Sequence, residues 1–243
     1  MTAPGTLVVL ADEAALTRAV ADHFIETAQA ALAERGRFDV ALSGGSTPKA
    51  VYALLATAAR DALAWSRVRF FFGDERCVPP DDPEANYKTA EDGLLRPLGI
   101  DPAHVFRMRG EDDPAAAARA YADLLRDELG AEPAFDLVLL GMGPDGHTAS
   151  LFPGADPLTG DAELVRAPWV EKFSTYRITL TPRVINASRS IAIAAGGAGK
   201  APVLRDVREG PYDPTLHPIQ IVDPRDGELF WFVDAAAASE LAQ

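Results

Sequence analysis

The chain is 243 residues long and 48% hydrophobic, and its 36 acidic and 23 basic residues give a formal net charge of −13. That length and apolar share suit one α/β domain spanning 1–243 with a sizeable core, while the acidity argues against sequence-independent binding to nucleic acid or to anionic membranes. Cys77 is the one cysteine, which excludes an intrachain disulfide and a Cys-rich zinc site. With no basic, apolar leader at Met1–Gly5 and no apolar stretch of bilayer length, a cytoplasmic protein is expected.

Thr6–Leu10 reads as a strand, after which Asp12 caps a helix with Leu16, Val20, Phe24, Ala28 and Leu32 on its buried face. Phe38–Leu42 is a second strand and runs into Ser43-Gly44-Gly45-Ser46-Thr47-Pro48. Thr47 followed by Pro48 predicts a helix start with a capping hydroxyl, and Val51, Leu54, Leu55 and Ala58 give that helix its apolar face. Val68–Phe72 is a strand leading to Gly73-Asp74-Glu75-Arg76, and a polar loop continues through Asp81–Glu84 to Asn86.

Asp113-Pro114 opens an alanine-rich helix that stops near Leu129-Gly130. A strand over Phe135–Leu140 then enters Gly141-Met142-Gly143-Pro144-Asp145-Gly146-His147. Gly154–Asp161 reads as a surface loop, Arg177–Leu180 and Ser190–Ala195 as strands, and Gly196–Lys200 as the approach to another helix. Leu229–Val233 is the last strand and Ala235–Leu241 a short closing helix. Strands alternating with helices predict an α/β fold, a three-layer, mostly parallel sheet with helices on both faces.

Four predicted strands end in Gly-rich or charged segments: Ser43–Thr47, Gly73–Arg76, Gly141–His147 and Gly196–Lys200. In a parallel sheet these gather at the carboxyl edge, where such folds bind small molecules. Ser43–Thr47 can cradle a phosphate on backbone N–H groups at a helix start, although the same residues also serve a plain strand-to-helix turn. Lys200 could pair with that phosphate. Gly196–Lys200 is not a nucleotide-binding loop, since Ala194 and Ala201 replace the glycine and the Ser/Thr it requires.

Of the four histidines, His23 sits beside Val20 and Phe24 as a packing residue, and His104 and His217 carry no assigned role. His147 differs: its loop is glycine-flanked, and Asp145 two residues earlier can orient the ring as a general base. No second histidine stands at metal-ligand spacing. Neither Ser43 nor Ser150 lies in a nucleophile elbow, so water is the expected nucleophile, with neither metal nor cofactor.

Taken in order, Leu42–Pro48, Gly73–Pro79 with Asn86-Tyr87, Gly141–Pro153, Arg177–Thr181 with Ile185-Asn186, and Gly199-Lys200 make a specific set. By these residues the chain resembles the 6-phosphogluconolactonases of the glucosamine-6-phosphate isomerase/deaminase-like superfamily. The resemblance implies the deaminase-like, Rossmann-like fold and hydrolysis of a phosphosugar lactone, 6-phosphoglucono-1,5-lactone, in the oxidative pentose phosphate pathway. It implies His147 as base with Asp145 holding it. Ser43, Gly44, Gly45, Ser46, Thr47, Asp74, Arg76, Arg183 and Lys200 would surround the substrate and its phosphate. The expected assembly is a monomer or weak homo-oligomer.

Two alternatives stand beside this reading, one within the superfamily and one from another class. In the related deaminases a glutamate occupies the position of Phe152, so the apolar ring here fits a lactone that needs no ring-opening acid. A non-catalytic sugar-phosphate sensor would carry a DNA-binding helix pair, for which a first strand at Thr6 leaves no room. The segment Glu171–Tyr176 departs from the family's Pro-rich turn and is expected to touch none of the candidate residues, and Ala85 replaces a common serine.

Overall fold

The computed structural model describes residues 4–154 and 162–242. From residue 155 on, the loop expected over 154–161 lies outside them. The strands are β1 (Thr6–Leu10), β2 (Phe38–Leu42), β3 (Val68–Phe72), β4 (Asp74–Arg76), β5 (Leu137–Gly141), β6 (Val165–Arg166), β7 (Trp169–Val170), β8 (Thr175–Leu180), β9 (Ser190–Ala195) and β10 (Glu228–Asp234). The helices are α1 (Glu13–Arg35), α2 (Ser46–Ala56), α3 (Asn86–Ala90), α4 (Arg96–Leu98), α5 (Pro114–Leu129), α6 (Pro182–Ile185) and α7 (Ala201–Glu209).

Six strands form one sheet in the order β1-β10-β9-β5-β2-β3, and every neighbouring pair is parallel. The chain leaves β2 outward to β3, yet leaves β5 in the opposite direction to β9 and β10. The strand order therefore reverses between β2 and β5, and a crevice opens beyond their carboxyl ends. Both faces of the sheet are covered, as runs such as fully buried Ser190–Ala195 require. Phe230 and Phe232 face His23 of α1 at ring distances of 4.6 and 5.3 Å, while Trp231 between them lies under Arg208 of α7 at 5.4 Å. His23 is the packing residue its neighbours implied: its Nε2 meets Ser190 Oγ at 3.0 Å, and burial lowers its pKa against the opposing pull of Glu228.

The structure corrects three expectations and adds a helical segment for which the sequence reading offered none. Asp74–Arg76 and Thr175–Leu180 do not extend the parallel sheet; they pair antiparallel with each other in a small second sheet, β4-β8-β6, with β7 on β8. The segment after Asn86 is helical through α3, a π-turn over Glu91–Leu95 and α4, although Gly93 and Pro97 interrupt any helical pattern. The helix expected over Ala235–Leu241 is a series of turns, even though the Asp234 carboxylate takes the Ala237 N–H at 2.7 Å in the manner of a helix cap. Helix α2 begins two residues early, at Ser46, with Gly45 at its cap and no capping hydroxyl, and it stops before Ala58, which is exposed.

Strand ends leave backbone groups without ladder partners, and two buried tyrosines supply them. Tyr52 of α2 accepts the Ser43 N–H at 3.0 Å and donates to the Ser43 carbonyl at 2.6 Å. Tyr121 of α5 accepts the Phe72 N–H at 2.9 Å, so the exits of β2 and β3 are each pinned by one phenol. Tyr52→Phe would leave both Ser43 groups unpaired in a buried site. It is expected to lower the unfolding free energy in urea by about 1–3 kcal/mol; a loss under about 0.5 kcal/mol would mean that other groups satisfy Ser43.

Candidate active site

A cavity of about 250 Å³ lies beyond the carboxyl ends of β2, β5 and β9. Its wall takes Ser43, Gly44, Gly45, Ser46 and Thr47 from the β2–α2 turn, Asp74 and Arg76 from β4, His147 from the loop after β5, and Lys200 from the turn after β9. Ten of the eleven residues singled out in the sequence thus meet around one crevice, since Asp145 bonds to His147 at its rim. Arg183 is the exception. It sits on α6, and its guanidinium bonds Glu132 Oε1 at 2.6 Å and the Ala162 carbonyl at 3.3 Å, outside the lining. A larger hollow of about 340 Å³ lies elsewhere, against Ala118, Leu151, Val165 and Pro168, without the Asp–His pair.

The loop after β5 is built to present His147. The Gly143 N–H bonds the His147 carbonyl at 2.8 Å and Thr148 Oγ1 bonds the Gly141 carbonyl at 2.8 Å, which closes the loop on itself. A Cβ at Gly143 would collide with the His147 ring, so only glycine lets the imidazole lie against the backbone there. His147 Nδ1 bonds Asp145 Oδ1, and the His147 N–H reaches the same oxygen at 3.3 Å. With Asp145 ionised, Nδ1 carries the proton and Nε2 keeps its lone pair for chemistry. Phe152 stacks on the imidazole at 4.2 Å and Ala149 takes a left-handed φ of 46°, a conformation costly for a residue with a Cβ.

Asp145 is held by two cationic or polar partners. Burial pushes its carboxyl up, but the Lys172 and His147 bonds outweigh that and hold it well below the usual carboxylate range. Lys172 Nζ meets Asp145 Oδ2 at 2.8 Å. The Glu171–Tyr176 segment therefore does touch the candidate pair, contrary to the sequence expectation. Phe173 of the same segment packs edge-on against Phe152 at 5.7 Å. For Lys200, burial lowers the ammonium pKa, Asp145 raises it and Lys172 lowers it again.

The opposite wall is a set of linked buried polar groups. Asp74 accepts Ser150 Oγ–H at 2.7 Å on one oxygen and Asn86 Nδ2 at 3.0 Å on the other. Gly44 lies so close to Asn86 that any Cβ would strike its amide, which ties the cradle to that wall. Behind them Glu75 accepts the backbone N–H groups of Arg76, Asn86 and Tyr87 at 2.7, 2.7 and 2.8 Å, so a strand residue caps α3 from outside the helix. Motif order gave no signal for Glu75, and the roles of Asn86, Ser150 and Lys172 were equally silent, because each acts through a partner distant in sequence.

At the cradle, α2 presents first-turn N–H groups to the cavity with no side chain capping them, and the positive end of its dipole points the same way. Arg76 stands across the crevice, donating to the Glu84 carbonyl, and Lys200 is half-buried at the rim. An acidic protein thus keeps a locally positive crevice around an oriented imidazole. Such a site can hold an anionic group at one end and move a proton at Nε2.

Residues 11–231 match the family of glucosamine-6-phosphate isomerases/6-phosphogluconolactonase. The chain is 38% identical over 242 residues to a 6-phosphogluconolactonase of Nostoc sp., covering 98% of each, and 39% identical over 243 residues to that of Homo sapiens, covering 97% of this chain and 93% of the relative. The solved 6-phosphogluconolactonase from Trypanosoma cruzi superposes with a TM-score of 0.90 at 29% identity, covering 100% of this chain and 99% of its own. A monomeric glucosamine-6-phosphate deaminase shares the fold at a TM-score of 0.82 and 22% identity. The chain belongs to the glucosamine-6-phosphate isomerase/6-phosphogluconolactonase family.

Burial pushes the Glu75 carboxyl up to about 7 against the pull of three backbone N–H groups, with Asp74 raising it further. The folded state therefore binds this proton more tightly than the unfolded chain. The contribution is fully present below the ordinary glutamate pKa and is lost as pH rises through about 7. The unfolding free energy should fall by up to about 3 kcal/mol between pH 4 and pH 8 from this group, and Glu75→Gln should flatten that slope. Equal slopes in the two proteins would show that Glu75 stays ionised throughout.

Proposed function

We propose that the protein hydrolyses 6-phosphoglucono-1,5-lactone to 6-phosphogluconate, acting in the cytoplasm as part of the oxidative pentose phosphate pathway. The observation that carries this reading is the Asp145–His147 pair at a crevice whose other charged groups are Asp74, Arg76, Lys200 and the start of α2. The 6-phosphogluconolactonase names of relatives that match over nearly the whole chain support it.

In this mechanism the phosphate rests on the Ser46–Thr47 end of α2 with Lys200 and Arg76, which anchors the sugar. Water stands between His147 Nε2 and the lactone carbonyl carbon. As water attacks, its proton passes to Nε2, a C–O bond forms, and the carbonyl oxygen takes the negative charge. The tetrahedral anion collapses, the bond from that carbon to the ring oxygen breaks, and the imidazolium returns its proton to the departing oxygen. Asp145 accepts the Nδ1–H throughout and stabilises the transient imidazolium. Phe152 supplies neither proton nor charge at the place where a deaminase of this superfamily needs a carboxylate, and its stacking on His147 suits a reaction in which the imidazole alone moves protons.

The test generates the lactone in situ with glucose-6-phosphate dehydrogenase, follows 6-phosphogluconate and subtracts the spontaneous opening. His147→Ala is expected to lower kcat by roughly two to four orders of magnitude; near-full activity would assign water activation to another group. Lys200→Ala is expected to raise KM for the phosphorylated lactone while changing hydrolysis of unphosphorylated gluconolactone little. Equal losses on both would remove Lys200 from the phosphate site. Ammonia release from glucosamine 6-phosphate, with no lactone turnover, would replace the hydrolase by a deaminase.

A further inference from the structure

The hairpin formed by β7 and β8 reaches the Asp145–His147 pair from outside the parallel sheet. Trp169 pairs with Tyr176 and Val170 with Thr175, and the tip between them, Glu171–Phe173, is a single 3-10 turn. The tip is braced rather than loose. The Ser174 N–H bonds the Glu171 carbonyl at 3.1 Å, the Trp169 indole N–H bonds Glu171 Oε2 at 2.8 Å, and the Trp169 and Tyr176 rings meet edge-on at 5.1 Å.

This turn grips both members of the pair. Lys172 Nζ bonds Asp145 Oδ2 at 2.8 Å while Oδ1 takes His147 Nδ1. Phe173 meets Phe152, which in turn stacks on the imidazole at 4.2 Å, and the Arg177 guanidinium lies over the Phe173 ring at 5.2 Å. Four other charged or titratable groups surround the pair: Lys200 from the turn after β9, Asp74 and Arg76 from β4 across the crevice, and the His217 ring behind Gly146. Among the described residues, Lys172 is the cation that bonds Asp145 directly.

We propose that Lys172 is a positioning residue for the hydrolysis, locking Asp145 so that a single carboxylate oxygen faces Nδ1 and the imidazole keeps its Nε2 lone pair toward the crevice. This rests on the reading of His147 as the base. The physical argument is rotational. A carboxylate torsion is broad and roughly two-fold, and Asp145 is partly exposed, so the His147 donors on one oxygen alone leave it free to turn. A donor on each oxygen removes that freedom. The ammonium also carries a cost: a positive charge across the carboxylate disfavours protonation of the ring. Removing it should loosen the geometry and at the same time make the pair hold its proton more tightly.

Lys172→Met and Lys172→Arg in the full chain separate these effects. Lys172 is exposed at a turn, so both variants are expected to fold with an unchanged melting temperature. For Lys172→Met, kcat should fall about 3- to 10-fold with KM within about twofold. The acid limb of the kcat/KM profile should move up by about half to one pH unit, an electrostatic shift of the size expected for one half-screened charge. Lys172→Arg should restore both to near wild type. Nitrogen chemical shifts of labelled histidine, read above the acid limb, should report the Nδ1–H tautomer in the wild type and a mixture in Lys172→Met.

A loss of kcat with no shift of the limb and no rescue by arginine would reduce Lys172 to a structural contact and overturn the proposal. A rise in KM alone would also overturn it, assigning the ammonium to the substrate phosphate. The tautomer reading distinguishes the two levels of inference. If His147→Ala stays active, the base assignment falls. A tautomer mixture in Lys172→Met would still uphold the lock on Asp145, and an unchanged tautomer would reject it.

Discussion

The crevice exists because the chain leaves β2 and β5 in opposite directions across one parallel sheet. Parallel pairing puts the carboxyl ends of β3, β2, β5 and β9 at one edge, and the reversal keeps the connections after β2 and β5 from covering the space between them. The cradle, the Asp145–His147 loop and the Lys200 turn are then neighbours in space while about 150 residues separate Ser43 from Lys200 in sequence. The buried phenol of Tyr52 and the short loop bonds around Gly143 hold these exits in shape, so the site inherits its rigidity from the sheet.

Charge is handled locally rather than globally. A net charge of −13 keeps the surface acidic, yet Arg76, Lys200 and the start of α2 bring positive charge to the crevice. Asp145 is the fixed negative charge at its rim, and it has two tasks, orienting the imidazole and pairing with Lys172. On the opposite wall Asp74 accepts Ser150 on one oxygen and Asn86 on the other, and these two bonds fix its carboxylate against the wall it shapes.

The small antiparallel sheet is the element that makes the site asymmetric. It brings Asp74 and Arg76 in on β4, and through the β7–β8 hairpin it brings Lys172 against Asp145 and Phe173 against Phe152. Glu75, on the reverse face of β4, caps α3 and so couples this sheet to the helix that carries Asn86. One three-residue strand thus supplies a wall residue, a cation and a helix cap by simple alternation of its side chains.

Local pattern was enough for most elements, because continuous apolar runs such as Ile191–Ala195 and the four-residue spacing from Leu16 to Ala28 are properties of neighbouring residues. The same holds for the site's nucleus: glycines ahead of a helix start and an Asp-Gly-His triplet directly behind strands state their chemistry within a few residues. Arg183 shows the limit, since one turn of α6 sends its guanidinium to Glu132 instead of the crevice. Thr175–Leu180 shows it again, because a strand's own residues do not say which sheet it joins. What the sequence determined by itself was the strands of the main sheet, the long helices α1, α2 and α5, and most of the residues that line the crevice. Only the tertiary structure decided that Lys172 meets Asp145, that Glu75 caps α3 and that β4 and β8 stand apart from the main sheet. Those choices are contacts between segments far apart along the chain, fixed by packing and desolvation after the sheet has formed, and no local spacing encodes them.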